Sequence, residues 1–110
     1  MTELLHLTER ALWDEAVRTG SYEHSTRGRT LAEEGFIHCS TREQLPAVAQ
    51  FLYGGDTGHG ELVVLVIDAE RLTAPVRHEA AAPGGPLYPH IYGPVPTEAV
   101  VGVESWPAAS

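Results

Sequence analysis

The run Leu62-Val63-Val64-Leu65-Val66-Ile67 constrains this chain most. It has no polar break, so it has no face to offer to water. A strand of this kind is expected near the centre of a sheet, covered on both sides. The run is too short to span a membrane. The rest of the chain must therefore supply two covering layers. With 110 residues and 43% hydrophobic content, one domain can do so. A chain of this size buries about two thirds of its extended surface.

The flanking segments divide by period and punctuation. Leu4 to Leu7 is a short apolar run around His6, expected as a buried strand. Thr8 stands at an N-cap position before a helix. Ala11, Leu12, Ala16 and Val17, with Trp13 beside them, recur at helical spacing, and Gly20 marks the stop. Residues 21–33 read as a loop with a turn at Leu31-Ala32. Gly35 to Cys39 reads as a strand, with Ile37 and Cys39 on one face and Phe36 and His38 on the other. Ser40 with Glu43, or Thr41 with Gln44, can form a capping box for a helix carrying Leu45, Val48, Ala49 and Leu52. Gly54-Gly55 ends it.

Beyond the central strand, Ala69 to Leu72 suits one helical turn and Val76 to Glu79 a short edge strand. Residues 80–89, rich in Ala, Gly and Pro, read as a mobile loop. Ile91-Tyr92 is extended, Pro96-Thr97-Glu98 starts a single turn, and Val100 to Trp106 forms the last strand. Strands and helices do not alternate strictly, so the fold class is α+β: a mixed sheet with two main helices. The expected domain covers residues 1–106, and residues 107–110 are expected to fray.

Composition narrows the function classes. Fifteen acids face seven arginines and no lysine, for a net charge of −8. General nucleic-acid or anionic-membrane binding is not expected from such a chain. His24, Arg27 and Arg29 form a local basic cluster, either a solvated loop or a small anion site. A single cysteine cannot close an internal disulfide, and Met1-Thr2-Glu3 does not begin like a signal peptide. A cytoplasmic location is the expectation.

Three motifs then stand out: Gly35-Phe36-Ile37-His38-Cys39-Ser40-Thr41 with Gln44, Pro89-His90-Ile91-Tyr92-Gly93-Pro94, and His6 before Thr8. Through them the chain resembles, over nearly its whole length, the bacterial family called domain of unknown function 952. More remotely, its element order is similar to the NAD-binding lobe of ADP-ribosyltransferases, in particular the RNA 2′-phosphotransferases. The corresponding segments are Leu5-His6-Leu7-Thr8, Gly20, the Arg27/Arg29 loop, Ile37-His38-Cys39-Ser40 and Leu65-Val66-Ile67-Asp68-Ala69. That likeness implies an ADP-ribosyltransferase-like fold, a ribose contact from His6, and a nicotinamide end held by the Phe36/His38 face. Where many such transferases carry a glutamate, this chain offers His90 and Tyr92. The basic RNA-binding lobe of the phosphotransferases has no counterpart here.

These residues define a candidate site. His6, His38, His90 and Tyr92 are the candidate catalytic residues. His6, Thr8, Arg27, Arg29, Phe36 and Ser40 are the candidate cofactor contacts. Phe36 and Tyr92 can stack a flat ring, and either arginine can hold a pyrophosphate. NAD is the expected cofactor class and a small molecule the expected partner. Metal is not expected, because no ligand spacing supports it and adjacent His38 and Cys39 face apart. His6 and His38 can equally be satisfied core histidines. Three functional readings stay open: an ADP-ribosyltransferase-like enzyme on an NAD or ADP-ribose-like ligand, a non-enzymatic binding module, and a cysteine-dependent enzyme using Cys39.

Overall fold

In the computed structural model, which describes residues 1–56 and 58–107, the apolar run becomes strand β6, Leu62–Asp68. In chain order the elements before it are β1 (Glu3–Glu9), α1 (Arg10–Thr19), β2 (Ser21–Tyr22), β3 (His24–Thr26), β4 (Arg29–Thr30), α2 (Leu31–Glu34), β5 (Ile37–His38) and α3 (Leu45–Tyr53). After it come β7 (Val76–Ala80), β8 (Leu87–Ile91), β9 (Val95–Pro96) and β10 (Val100–Trp106). Single 3-10 turns occupy Ala69–Arg71 and Thr97–Ala99.

All seven residues of β6 are buried, and the strand lies between β1 and β10. Its two faces feed two cores. Val63, Leu65 and Ile67 join Leu4, Tyr22, Ile37, Cys39, Ile91 and Val95. Leu62, Val64 and Val66 join Leu5, Leu7 and the inner face of α3: Leu45, Ala49 and Tyr53. Period-two alternation thus distributes one unbroken apolar run between two layers. The α+β class is observed, in one compact domain with a radius of gyration of 13.1 Å.

The expected mixed sheet is corrected to several small sheets. They are β1-β6-β10, β5-β8-β7, β2-β9 and β3-β4, and every paired strand runs antiparallel to its neighbour. Burial of β6 on both faces needs no parallel crossover here. Helix α3 covers one face, and α1 with the β5-β8-β7 sheet covers the other. Ser40 ties the two three-stranded sheets together: its N–H donates to Leu5 O at 2.8 Å, and its carbonyl accepts from Leu5 N–H at 2.9 Å.

Several boundaries also move. Thr8 is a strand residue paired with Val63, so α1 begins after Glu9 and Thr8 caps nothing. The inward face of α1 is Leu12, Trp13 and Ala16; Ala11 and Val17 are exposed. The segment 21–33, expected as a loop, holds β2, the β3-β4 hairpin and most of α2. Its turn is Arg27-Gly28, with Gly28 at φ 77°, and Thr30 and Glu33 form a capping box for α2. Gly35 does not open the next strand. It ends α2 at φ 88°, a left-handed value suited to glycine, so β5 shrinks to two residues. Of the two possible caps before α3, Thr41 and Gln44 bond reciprocally at 3.0 and 3.2 Å. Leu87 to Pro89, expected within a loop, belong to β8. Pro89 has no N–H to give to the ladder, but its carbonyl accepts from Cys39 N–H at 2.9 Å. Of the expected frayed tail, residues 108–110 lie outside the described residues.

Candidate functional site

Along β1, Leu4, His6 and Thr8 point to the same core as Tyr22. His6 is 3% exposed and both ring nitrogens are engaged: Nδ1 lies 2.6 Å from His38 O, and Nε2 lies 2.8 Å from the Tyr22 hydroxyl. A carbonyl only accepts, so Nδ1 carries the proton and Nε2 takes the proton of Tyr22. The Thr8 hydroxyl, 2.7 Å from Tyr22 Oη, completes the chain by donating to it. Burial lowers the His6 pKa to about 4, against the pull of the His38 carbonyl, and pushes the Tyr22 phenol upward. His6 is therefore a neutral, satisfied histidine whose Nδ1–H staples β1 to β5.

Through that staple His6 fixes the strand that displays His38. Residues Ile37 and Cys39 face the core, while Phe36 and His38 face outward, as alternation requires. Across the ladder His38 pairs with His90, and Arg77 pairs with His90 from the other side. One face of β5-β8-β7 thereby gathers Phe36, His38, Tyr88, His90, Tyr92, Arg77 and Glu79. Phe36 stacks on His90 with centroids 4.2 Å apart and touches His38 and Tyr92 at 4.6 and 5.2 Å.

Glu79 organises this face, and the sequence reading missed it. Its Oε1 accepts from Tyr92 Oη at 2.5 Å and lies 2.8 Å from His90 Nδ1. Those bonds, from Tyr92 first and His90 second, hold its carboxyl below the ordinary range, and they raise the Tyr92 phenol. The readable signal was period two: Arg77-x-Glu79 on an edge strand beside Tyr88-x-His90-x-Tyr92. Glu34 plays a lesser part toward His38, with Oε1 3.5 Å from Nε2. Burial lowers the His38 pKa despite that carboxylate.

Opposite this wall stands α3. A cleft of about 850 Å³ lies between them, lined by Phe36, His38, Tyr88, His90, Glu34 and Glu79 on one side and by Ala47, Val48, Phe51 and Leu52 on the other. Leu5, His6 and Ser40 also line it. His6, His38, His90, Phe36 and Ser40 are thus brought together. Tyr92 reaches the cleft only through Glu79. Thr8 is committed to Tyr22. A second hollow of about 400 Å³, beside α1 and lined by Glu15, Glu23 and His24, gathers no comparable set.

The two arginines lie elsewhere. Arg27 pairs with Asp56, donates to Leu52 O at 2.6 Å and sits 4.4 Å over the Tyr53 ring, so it clamps the C-terminal end of α3. Arg29 lies 3.4 Å from Glu34. Among the described residues, no group of three or more His, Cys, Asp or Glu is arranged to hold a metal ion.

Cys39 is buried in the core, and burial pushes its thiol pKa up. A thiol so placed is a poor nucleophile, which argues against the cysteine-dependent reading. Cys39→Ala should cost about 1 kcal/mol or slightly more in denaturant-measured stability, as small core truncations do. Native protein should react with iodoacetamide only as fast as it unfolds. Rapid labelling at neutral pH would contradict this placement.

Among the described residues, no helix is long and apolar enough to cross a membrane. No curated protein matches the chain at a significant level. The fold is similar to crystal structures of protein CC0527 from Caulobacter crescentus. The CC0527 structure is 32% identical, covers 94% of this chain and 85% of that one, and has a TM-score of 0.76. A double mutant of the same protein gives 31% identity and the same TM-score. Its solution structure is 32% identical over 96% of this chain and 84% of that one, with a TM-score of 0.72. The family described as protein of unknown function (DUF952) matches residues 7–103, and this chain belongs to that family.

Proposed function

We propose that this protein binds a small flat-ring ligand of nucleoside type, such as the nicotinamide end of NAD or an ADP-ribose-like molecule, in the cleft between α3 and the β5-β8-β7 sheet. The observation that carries the reading is the wall of Phe36, His38 and His90 with Glu79 facing a cleft of about 850 Å³. Aromatic faces supply stacking area, and a few convergent polar groups fix orientation. The remote likeness to the NAD-binding lobe of ADP-ribosyltransferases belongs to this proposal. His6 and Thr8 serve it as the buried support of the wall, and Arg27 and Arg29 as clamps on the surrounding chain.

One observation favours turnover over binding alone. Hydrogen bonds from Tyr92 and His90 to Oε1 hold the Glu79 carboxylate in place on the cleft wall. A carboxylate held there suits the oxocarbenium-like charge that develops when a glycosidic bond breaks. In this reading Glu79 faces the developing charge, and Tyr92 and His90 position it through their bonds to Oε1.

Calorimetry with NAD, ADP-ribose, adenosine and nicotinamide tests the binding reading. At least one should bind the wild type at millimolar concentration or below. Phe36→Ala should weaken it by roughly 1 kcal/mol, the size of an aromatic contact. Silence of all four ligands sinks the nucleoside reading. If NAD binds and nicotinamide is never released, the binding module stands and the enzyme falls.

A further inference from the structure

We propose that the ligand's ring carries a positive charge, so that the cleft selects a pyridinium or a similar aromatic organic cation over its neutral counterpart. This rests on the flat-ring reading above and names the chemistry of the ring.

The charges around the cleft are one-sided. Glu34 and Glu79 line it, and no arginine does. The neighbouring cations are turned to other tasks: Arg77 lies 5.2 Å from the Tyr92 ring centroid, and Arg29 lies 3.4 Å from Glu34. Both hydrogen bonds to Glu79 land on Oε1, so Oε2 has no protein hydrogen-bond partner among the described residues. The imidazoles of His38 and His90 complete the titratable lining. Arg29 offsets Glu34, so the carboxylate that meets the ring most directly is Glu79, and a pyrophosphate-bearing ligand would keep its phosphates outside this wall of a chain of net charge −8.

The uncharged lining suits the same ligand. Phe36 and Tyr88 face the cleft from the sheet, and Phe51, 88% exposed, stands on the opposite rim. A flat cation between such rings gains from their negative faces as well as from contact area.

Ser40 points independently to a ligand. It is 1% exposed, its backbone is locked by two bonds to Leu5, and its Oγ is the buried side-chain polar atom left without a partner among the described residues. It lines the cleft one strand step beyond His38, on the same face. A buried hydroxyl without a partner is costly. A ring bearing a carboxamide, hydroxyl or amine would supply what Ser40 lacks, while its charge faces the carboxylates.

The test compares 1-methylnicotinamide, a cation, with nicotinamide, which has the same ring and carboxamide without the charge. Titration calorimetry on the full chain should show the cation binding roughly tenfold tighter, the scale of one partly desolvated cation–π contact. Added salt should reduce that ratio. Glu79→Gln should narrow the gap between the two affinities without closing it, since the ring faces remain, and Ser40→Ala should weaken both alike without lowering the melting temperature. Equal binding of the two probes to wild type, or preference for nicotinamide, overturns the charge inference and leaves the flat-ring reading standing. A Ser40→Ala protein that binds both as wild type does removes Ser40 from the site and overturns the inference as argued. If neither probe binds wild type at millimolar concentration, the charge inference falls; the nucleoside reading falls only if NAD, ADP-ribose and adenosine are also silent.

Discussion

Lowering the pH through the window from 6.5 to about 4 should remove about 3 kcal/mol of folding stability through His6 alone. Unfolded, the imidazole takes its proton near the ordinary value of 6.5. Folded, it resists until about 4, because burial disfavours the charged form and Nε2 already accepts the Tyr22 proton. Across that window the unfolded state binds more protons, so stability falls as the pH drops. The contribution is complete above 6.5 and gone below about 4. A loss of this size is a large share of the roughly 5–15 kcal/mol that holds a domain together.

Urea unfolding at a series of pH values checks the slope. His38, whose pKa burial also lowers, adds to it in the same direction. The carboxylates of Glu33, Asp56 and Glu79, all lowered by their hydrogen bonds, add theirs at lower pH, where carboxylates begin to protonate. Ring nitrogen NMR separates the contributions. His6 should stay a neutral Nδ1–H tautomer down to about pH 4. A His6 ring that titrates near 6.5 would show that it is neither buried nor bonded as described.

Much of the architecture was legible because it depends on local chemistry. The apolar run of β6 could only be a covered strand. Gly20 ends α1 at φ 90°, and the Thr41–Gln44 box closes the turn before α3. The alternation of Phe36, Ile37, His38 and Cys39 placed the two outward side chains on the cleft wall. What stayed hidden depends on partners distant in sequence. Thr8 has the chemistry of a cap, but its hydroxyl is claimed by Tyr22, 14 residues away. Tyr22 sits in a two-residue strand whose partner is β9, so no period could reveal it. Glu79 belongs to the site only because the β7-β8 register sets it diagonal to His90, and that register is fixed by the turn at residues 81–86. The Arg27/Arg29 pair looked like an anion site because its counter-charges, Asp56 and Glu34, come from other segments.

Tyr22 is the residue whose loss should cost most. It is 1% exposed and fills the core between β1, α1 and β9. Tyr22→Ala should cost about 3–5 kcal/mol, the range for truncating a buried aromatic, and can leave the chain unfolded at room temperature. Tyr22→Phe keeps the ring and removes only the hydroxyl. His6 Nε2 then loses its donor and Thr8 its acceptor, at about 1–3 kcal/mol. Thr8→Val alone should cost less, since Tyr22 can still donate to His6. Denaturant midpoints for the four proteins, with the Tyr22→Phe/Thr8→Val double variant, measure the coupling. A Phe variant as stable as wild type would mean that the His6–Tyr22–Thr8 chain does not hold β1. The consequence would reach the cleft, because the same imidazole that accepts from Tyr22 donates from Nδ1 to the His38 carbonyl. Tyr22→Phe should therefore loosen the strand that displays His38, and exchange of the β5 amides should rise more than that of β6.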